Sequence, residues 1–415
     1  MEVSDHLFRH ESGRMVAALT RIFGVHNLAL AEDVVQDAFC RAVEVWKFHG
    51  VPENPSAWLM ATAKNRAIDV LRRERRARTF APELGRLLET EWTLAPVVNE
   101  LFEPSAIKDD ELRMMFSCCN PRIAEVAQVS LVLHILCGFS VGEIASAFFN
   151  TEAAVEKRLV RAKKVLASSH RLFELDDADA SIRLSAVHRA LYLLFNEGYH
   201  GASPKTSVRD ELCFEAIRLM RVLTDNPHTS TPTTQALAAL MSLNAARLST
   251  RIDASGNLTS LLDQDRSLWD AKMISEGLSL LDSSAAGVDL SEYHIEAAIA
   301  AAHVTAGSTA ETNWAYIVSL YEILMSIRPS PVVALNRAVA VAQHEGADRG
   351  LQEINKIADR DRLAGYPFYF AALGELELRR GLKDTAREHF QAALALGRNP
   401  MERHFFQGRI NGCED

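Results

Sequence analysis

Asn54-Pro55-Ser56-Ala57-Trp58-Leu59, continuing through Lys64-Asn65-Arg66-Ala67-Ile68-Asp69-Val70-Leu71-Arg72-Arg73-Glu74-Arg75-Arg76, sets the architecture of the N-terminal part. Trp58, Leu59, Ala63, Ile68 and Leu71 recur at helical spacing, so a helix with an apolar stripe is predicted from Ser56 to about Arg76. Asn65, Asp69, Arg72, Arg73 and Arg76 are three to four residues apart and share the opposite face. That face offers amide, carboxylate and guanidinium groups. Upstream, Val34, Val35, Ala38, Phe39, Ala42, Val45 and Trp46 predict an amphipathic helix over 30–47. Its outer edge carries Asp33, Gln36 and Asp37. A further helix is expected over 5–23, broken by Gly24 and Asn27. The loop from Phe48 to Pro55 stops the middle helix, and the three helices make one compact unit. Trp46, Trp58 and Phe39 read as core residues rather than base-stacking ones.

Working outward, residues 79–108 change character. Pro82, Pro96 and Pro104 and five acidic residues against two basic ones mark a linker, with some helix around 83–91. Helical patterning returns at 109–117, 124–136, 141–148 and 152–168, and the last two have helix-turn-helix dimensions. Phe149 stands at the turn between them, which places Asn150 in the strained backbone position. Residues 174–181 form a second acidic junction. Roughly ten amphipathic helices follow it. Phe370, Leu373, Gly374, Ala386, Phe390 and Ala393, with Pro400 beyond, fall at tetratricopeptide-like spacing, and Ile317, Tyr321, Leu324 and Pro329 suggest a second such helix. The fold class expected is all-α, ending in an α-solenoid-like domain.

Twenty glycines and thirteen prolines in 415 residues are few, which favours helices throughout. The net charge of −9 is unevenly placed: residues 1–173 hold 22 basic and 22 acidic residues, whereas 174–415 hold 23 and 32. Residues 64–78 carry seven Lys or Arg against two acids, and 157–164 carry five against none. Two basic helices on an acidic chain are a local footprint for phosphates. No signal-peptide pattern and no long apolar run occurs, so a soluble, cytoplasmic protein without membrane contact is expected. The six cysteines lack C-x-x-C spacing and read as reduced, half-buried thiols, although the neighbours Cys118 and Cys119 leave metal binding open. Asp263, Asp265 and Arg266 read as an ion network within the C-terminal domain. No phosphate-loop, zinc-protease or nucleophile-elbow motif is present, so neither catalysis, cofactor nor metal is expected.

The Ala31–Phe39 helix, the Asn54–Leu59 turn and the Lys64–Arg76 helix resemble region 2 of extracytoplasmic-function sigma factors. The segment Phe139-Ser140-Val141-Gly142-Glu143-Ile144-Ala145, with Ala154–Lys164 after it, resembles their region 4 helix-turn-helix. Leu194–Tyr199 and Asp263–Trp269 extend the resemblance to the subgroup with a tetratricopeptide-like C-terminal domain. The resemblance implies four parts: region 2 over 1–78, a linker over 79–108, region 4 over 109–173 and a C-terminal domain over 174–415. It implies that Asp33, Gln36 and Asp37 dock on core RNA polymerase, a partner contacted through its β′ and β subunits. Promoter DNA is the second implied partner. Phe48, His49 and Asn54 would meet a −10 base flipped from the stack. Lys64, Asn65, Arg66, Asp69, Arg72, Arg73 and Arg76 would hold the opened strand. Glu152, Ala153, Glu156 and Lys157 would meet −35 bases, and Arg158, Arg161 and Lys164 phosphates. The C-terminal domain would regulate or support the factor in cis, with a protein partner or ligand of its own. Two other readings stay open: a helix-turn-helix regulator with a repeat-type sensor and no polymerase docking, and an enzyme whose catalytic domain is residues 180–415.

Overall fold

The computed structural model describes residues 2–74, 104–148, 150–168, 180–200, 208–253, 256–286 and 290–414. Most of the expected linker, most of the acidic junction at 174–181, Phe149 and Arg76 lie outside them. Two compact units emerge, residues 1–193 and 194–415. The described residues form eighteen α-helices and no strand beyond one isolated bridge, Ile252 to Leu258. The all-α expectation holds.

In the first unit, α1 (Glu2–Phe23), α2 (Leu28–His49) and α3 (Pro55–Glu74) pack around Leu19, Ile22, Val34, Ala38, Leu59, Ala63 and Ala67, all buried. Two glycines punctuate them. Gly24 (φ +83°) ends α1 and Gly50 (φ +78°) ends α2, both in backbone that side chains resist. Asn54 then starts α3, its Oδ1 accepting from the Ala57 N–H at 3.0 Å. Trp46 and Trp58 meet edge to face at 5.5 Å but are only half-buried, as is Phe39. The core is made by the smaller aliphatic residues beneath them.

The unit continues with α4 (Pro104–Cys118), α5 (Glu125–Leu131), a π turn (Val132–Leu136), α6 (Val141–Ala147) and α7 (Glu152–Ala167). α1 is also the backing of this second half. A Cβ on Gly13 would overlap the Leu136 carbonyl, so the close approach of α1 to the π turn requires glycine there. Ser140 and Glu143 form a capping box at α6, and Thr151 caps α7 through the Ala154 N–H. The turn between them corrects one expectation. Asn150 is not left-handed; Asp359 is the one non-glycine residue with positive φ among the described residues. The Asn150 N–H instead reaches the Ala145 carbonyl (3.0 Å), and its side-chain amide donates to the Phe148 carbonyl.

α8 (Ala180–His200) runs from the first unit into the second. There follow α9 (Asp210–Asp225), α10 (Pro232–Ala245), α11 (Ala271–Ser284), α12 (Glu292–Val304), α13 (Trp314–Ile327), α14 (Pro331–Glu345), α15 (Ala347–Asn355), α16 (Pro367–Arg379), α17 (Lys383–Leu396) and α18 (Pro400–Asn411). Contact is mainly between successive helices, as in a stack of hairpins. Thr231-Pro232, Ser330-Pro331 and Asn399-Pro400 start three of them, the first residue capping and the proline fitting the first turn. A Cβ on Gly374 would come within 3.0 Å of the Phe390 ring, so α16 and α17 approach through a small-on-large contact, with Ala386 and Ala393 buried beside it.

Candidate nucleic-acid interface

α2 and α3 present two adjoining surfaces. Asp33, Gln36 and Asp37 are all exposed on α2. Asp37, however, is not free: Arg66 of α3 reaches its Oδ2 through Nη2 at 2.8 Å and Nε at 2.9 Å. The expected polymerase edge and the expected strand-binding face therefore meet. A groove between α2 and α3 is lined by Asp37, Arg41, Trp58, Asn65, Arg66 and Asp69. Asn65 and Asp69 are exposed and Lys64 is half-buried. Arg72 and Arg73 belong to α3, and Arg76 lies beyond the described residues.

At the carboxyl end of α2, Phe48 is 80% exposed and Val51 65%. Leaving a phenylalanine in water forgoes about 2 kcal/mol of burial. Phe48 thus contributes little to the fold and is available to a partner. Lys47 stands 5.9 Å from its ring centre. His49 is exposed with Nδ1 3.3 Å from the Val45 carbonyl. Asn54 is exposed as well, but its oxygen already caps α3, so its amide N–H groups are what remains for a base.

On α7, Val155, Leu159, Ala162 and Leu166 are buried, leaving Glu152, Ala153, Glu156, Lys157, Arg161 and Lys164 exposed on the other side. Arg158 is half-buried, with Nη1 enclosed and unpartnered. Lys163 turns inward, its Nζ donating to both oxygens of Glu32 on α2 at 2.7 and 2.8 Å. His134 Nε2 is 3.6 Å from the same carboxylate. Burial, then the Lys163 charge, lowers the His134 pKa. One of the five basic charges of 157–164 is thereby committed to α2. No local signal marks that pairing, because its partners are 131 residues apart.

Five cysteines are buried and Cys40 is exposed; burial pushes the Cys118 thiol up to about 12. Among the described residues no group of His, Cys, Asp and Glu is disposed to hold a metal. The ion network expected at 263–266 is corrected in part. Asp263 pairs with Arg409 at 2.9 Å, and Asp265 caps the turn at Ser267. Arg266 instead donates to the carbonyls of His303 and Ala306 at 2.8 Å each and to Thr312 at 3.2 Å.

Comparison with known proteins bears on both units. Residues 7–77 match Sigma-70 region 2, and residues 183–285 match a family of unknown function, DUF6596. An uncharacterized protein of Rhizobium meliloti (strain 1021) is 39% identical over 399 residues, covering 95% of this chain and 92% of the relative. No described helix is long and apolar enough to cross a membrane. The match to Sigma-70 region 2 spans the three helices that carry the acidic edge, the groove and the exposed Phe48, so the chain carries a sigma-70 region 2 domain at its N-terminus.

Proposed function

We propose that the chain is a sigma factor of the extracytoplasmic-function type that binds core RNA polymerase and directs it to a two-element promoter. Asp33 and Gln36, with Asp37, face the polymerase, where a complementary basic surface would steer and register docking. Phe48 and Val51 at the tip of α2 receive a base displaced from the −10 element, with Asn54 and His49 beside it. The α3 face holds the separated strand. Opening needs no covalent chemistry, only tighter binding of single strand than of duplex. α7 enters the major groove at the −35 element, Glu152, Ala153, Glu156 and Lys157 toward bases, Arg158, Arg161 and Lys164 toward phosphates. In this reading region 2 is 1–78, the linker 79–108, region 4 109–173, and 174–415 a tetratricopeptide-like domain that supports the factor in cis.

The observation that carries the reading is the exposure of Phe48 beside the α2–α3 groove, inside the stretch matching Sigma-70 region 2. Stacking on an aromatic side chain contributes about 1–3 kcal/mol per base. Run-off transcription with core polymerase tests it. Phe48→Ala should retain core binding and lose promoter opening at least tenfold, read by permanganate reactivity of the −10 strand. Full opening by this variant would refute the placement of the −10 base. A helix-turn-helix regulator without polymerase docking leaves the 7–77 match unexplained.

A further inference from the structure

Arg247, Arg251 and Arg266 in the second unit interleave with two aromatic rings. The Arg251 guanidinium lies 4.1 Å from the Tyr199 ring centre, and that of Arg247 5.9 Å from it. Arg247 also stands 5.8 Å from the Trp269 ring, and Arg266 5.2 Å. The order is Arg251, Tyr199, Arg247, Trp269, Arg266. Hydrogen bonds fix it: Trp269 Nε1 donates to Thr250 Oγ1 at 3.0 Å, and Arg247 Nη2 donates to Tyr199 Oη at 2.8 Å and Asn244 Oδ1 at 2.7 Å.

Charge is not balanced here. Arg247 is only 8% exposed, and the Nε atoms of Arg247 and Arg251 have no partner. None of the three arginines forms an ion pair with a described carboxylate. Part of the compensation is visible. Two of the three sit at the carboxyl end of a helix: Arg247 two residues past α10, and Arg266 on the carbonyls of His303 and Ala306 at the end of α12. A helix end supplies about half a negative charge. Two ends offset about one of three guanidinium charges, and a surplus of about two positive charges remains. Neighbouring groups register it. Burial, then Arg251, Arg247 and Arg398, holds the His200 pKa well below the ordinary histidine value, and burial, then Arg247 and Arg266, holds His303 at about 3. Arg398 has its own partner in Glu402 at 2.6 Å. Glu311 acts on Arg266 through space without pairing with it.

We propose that Arg251, Arg247 and His200 form a binding site for a small anion of one to two negative charges, carrying a phosphate or a carboxylate group. Arg251 is half-buried, and His200, crowded by its neighbours yet reaching the surface, stands beside it on the open side, with Arg247 behind them. Arg251 Nη2 donates to His200 Nδ1 at 3.4 Å, which puts the imidazole proton on Nε2, where it can donate to the anion. Tyr199 and Trp269 hold the guanidinium planes apart.

Thermal unfolding of the full-length protein, titrated with inorganic phosphate against sodium chloride of matched ionic strength, tests the site; a parallel arm uses acetate. A saturable rise in melting temperature is expected in at least one arm, and the arm that saturates identifies the group bound. Arg251→Gln should weaken the half-saturating concentration roughly tenfold or more, the loss of a charge-assisted contact. Arg221→Gln, at an exposed arginine paired with Glu276, should leave it unchanged. Saturation should also raise the His200 pKa, read by imidazole NMR, by roughly one unit or more, as an anion within ~4–6 Å does; a purely structural role for the arginines would not move it. Should Arg251→Gln fail to fold, Arg251→Lys keeps the charge and should bind more weakly. A rise no larger than that of chloride in both arms overturns the site, as does a saturable rise that both Arg251 variants leave intact.

Discussion

Asp33 and Asp37 stand four residues apart on α2, yet a substitution at each reports something different. Asp37 also holds Arg66, so its loss disturbs α3 as well as any partner. Asp33→Lys is the cleaner test of docking: it should lower affinity for core polymerase at least tenfold in a native-gel titration and leave the helical circular dichroism unchanged. Wild-type affinity would remove α2 from the docking surface. A second residue carries a pH signature. His303 has a folded pKa of about 3 against an ordinary 6.5, because burial and then Arg247 and Arg266 disfavour its charged form. Below pH 6.5 the unfolded chain takes up a proton that the folded chain refuses. Its contribution is therefore complete above pH 6.5 and lost as pH falls from there toward 3. Urea unfolding should show roughly 1 kcal/mol less stability at pH 5.5 than at 7.5 from this residue alone. His303→Gln should flatten the slope by that amount, and an unchanged slope would contradict the assignment.

At the scale of elements, helix α7 separates two kinds of contact. Arg161→Ala should weaken binding to −35 DNA about equally for all sequences and flatten its salt dependence by about one unit of slope. Glu156→Ala should change which base is preferred, by roughly 1–3 kcal/mol per lost contact. A selected promoter pool identical to that of the wild type would place the reading face elsewhere on α7. The helices themselves were legible in the sequence because each carries its own period and punctuation: Val155, Leu159, Ala162 and Leu166 lie along one stripe, and Gly24, Gly50 and the cap-proline pairs mark the ends. What was not legible joins distant elements. The Asp37–Arg66 and Glu32–Lys163 pairs depend on how helices cross, which no spacing encodes. The Arg247, Arg251 and Arg266 group was missed for the same reason: Tyr199, on α8, and the arginines after α10 are separated in sequence and adjacent only in the fold. The half-buried Trp46 and Trp58 show the converse error, since a large apolar residue on a helical stripe need not reach the centre.

For the whole molecule, the acidic C-terminal unit has a core of its own and is more than an appendage to the first. The first unit keeps buried contacts into α8, including Leu184, Val187 and Leu191, so a fragment should retain that helix. The 1–200 fragment is expected to fold and bind core polymerase, yet to lose run-off transcription relative to the full chain. Equal activity of the two would show that the C-terminal domain neither supports nor masks initiation. The Glu32–Lys163 pair has a consequence of a different order, a limit on reach. Positions −10 and −35 are ~85 Å apart along B-form DNA at ~3.4 Å per base pair. A compact unit of 193 residues has a radius of gyration of only ~16 Å. With Lys163 on α7 touching Glu32 on α2, the proposed −10 and −35 surfaces, the tip of α2 and the face of α7, could not lie on both elements at once. A stretch as long as residues 75–103, between α3 and α4, spans at most ~100 Å, enough to bridge the interval once the two halves part. A partly exposed ion pair contributes ~0–1 kcal/mol, a tie weak enough to be exchanged for polymerase and phosphate contacts. Under the proposed two-element reading, the interval between the elements is longer than the folded unit, and recognition of both would select a form in which its two halves have parted.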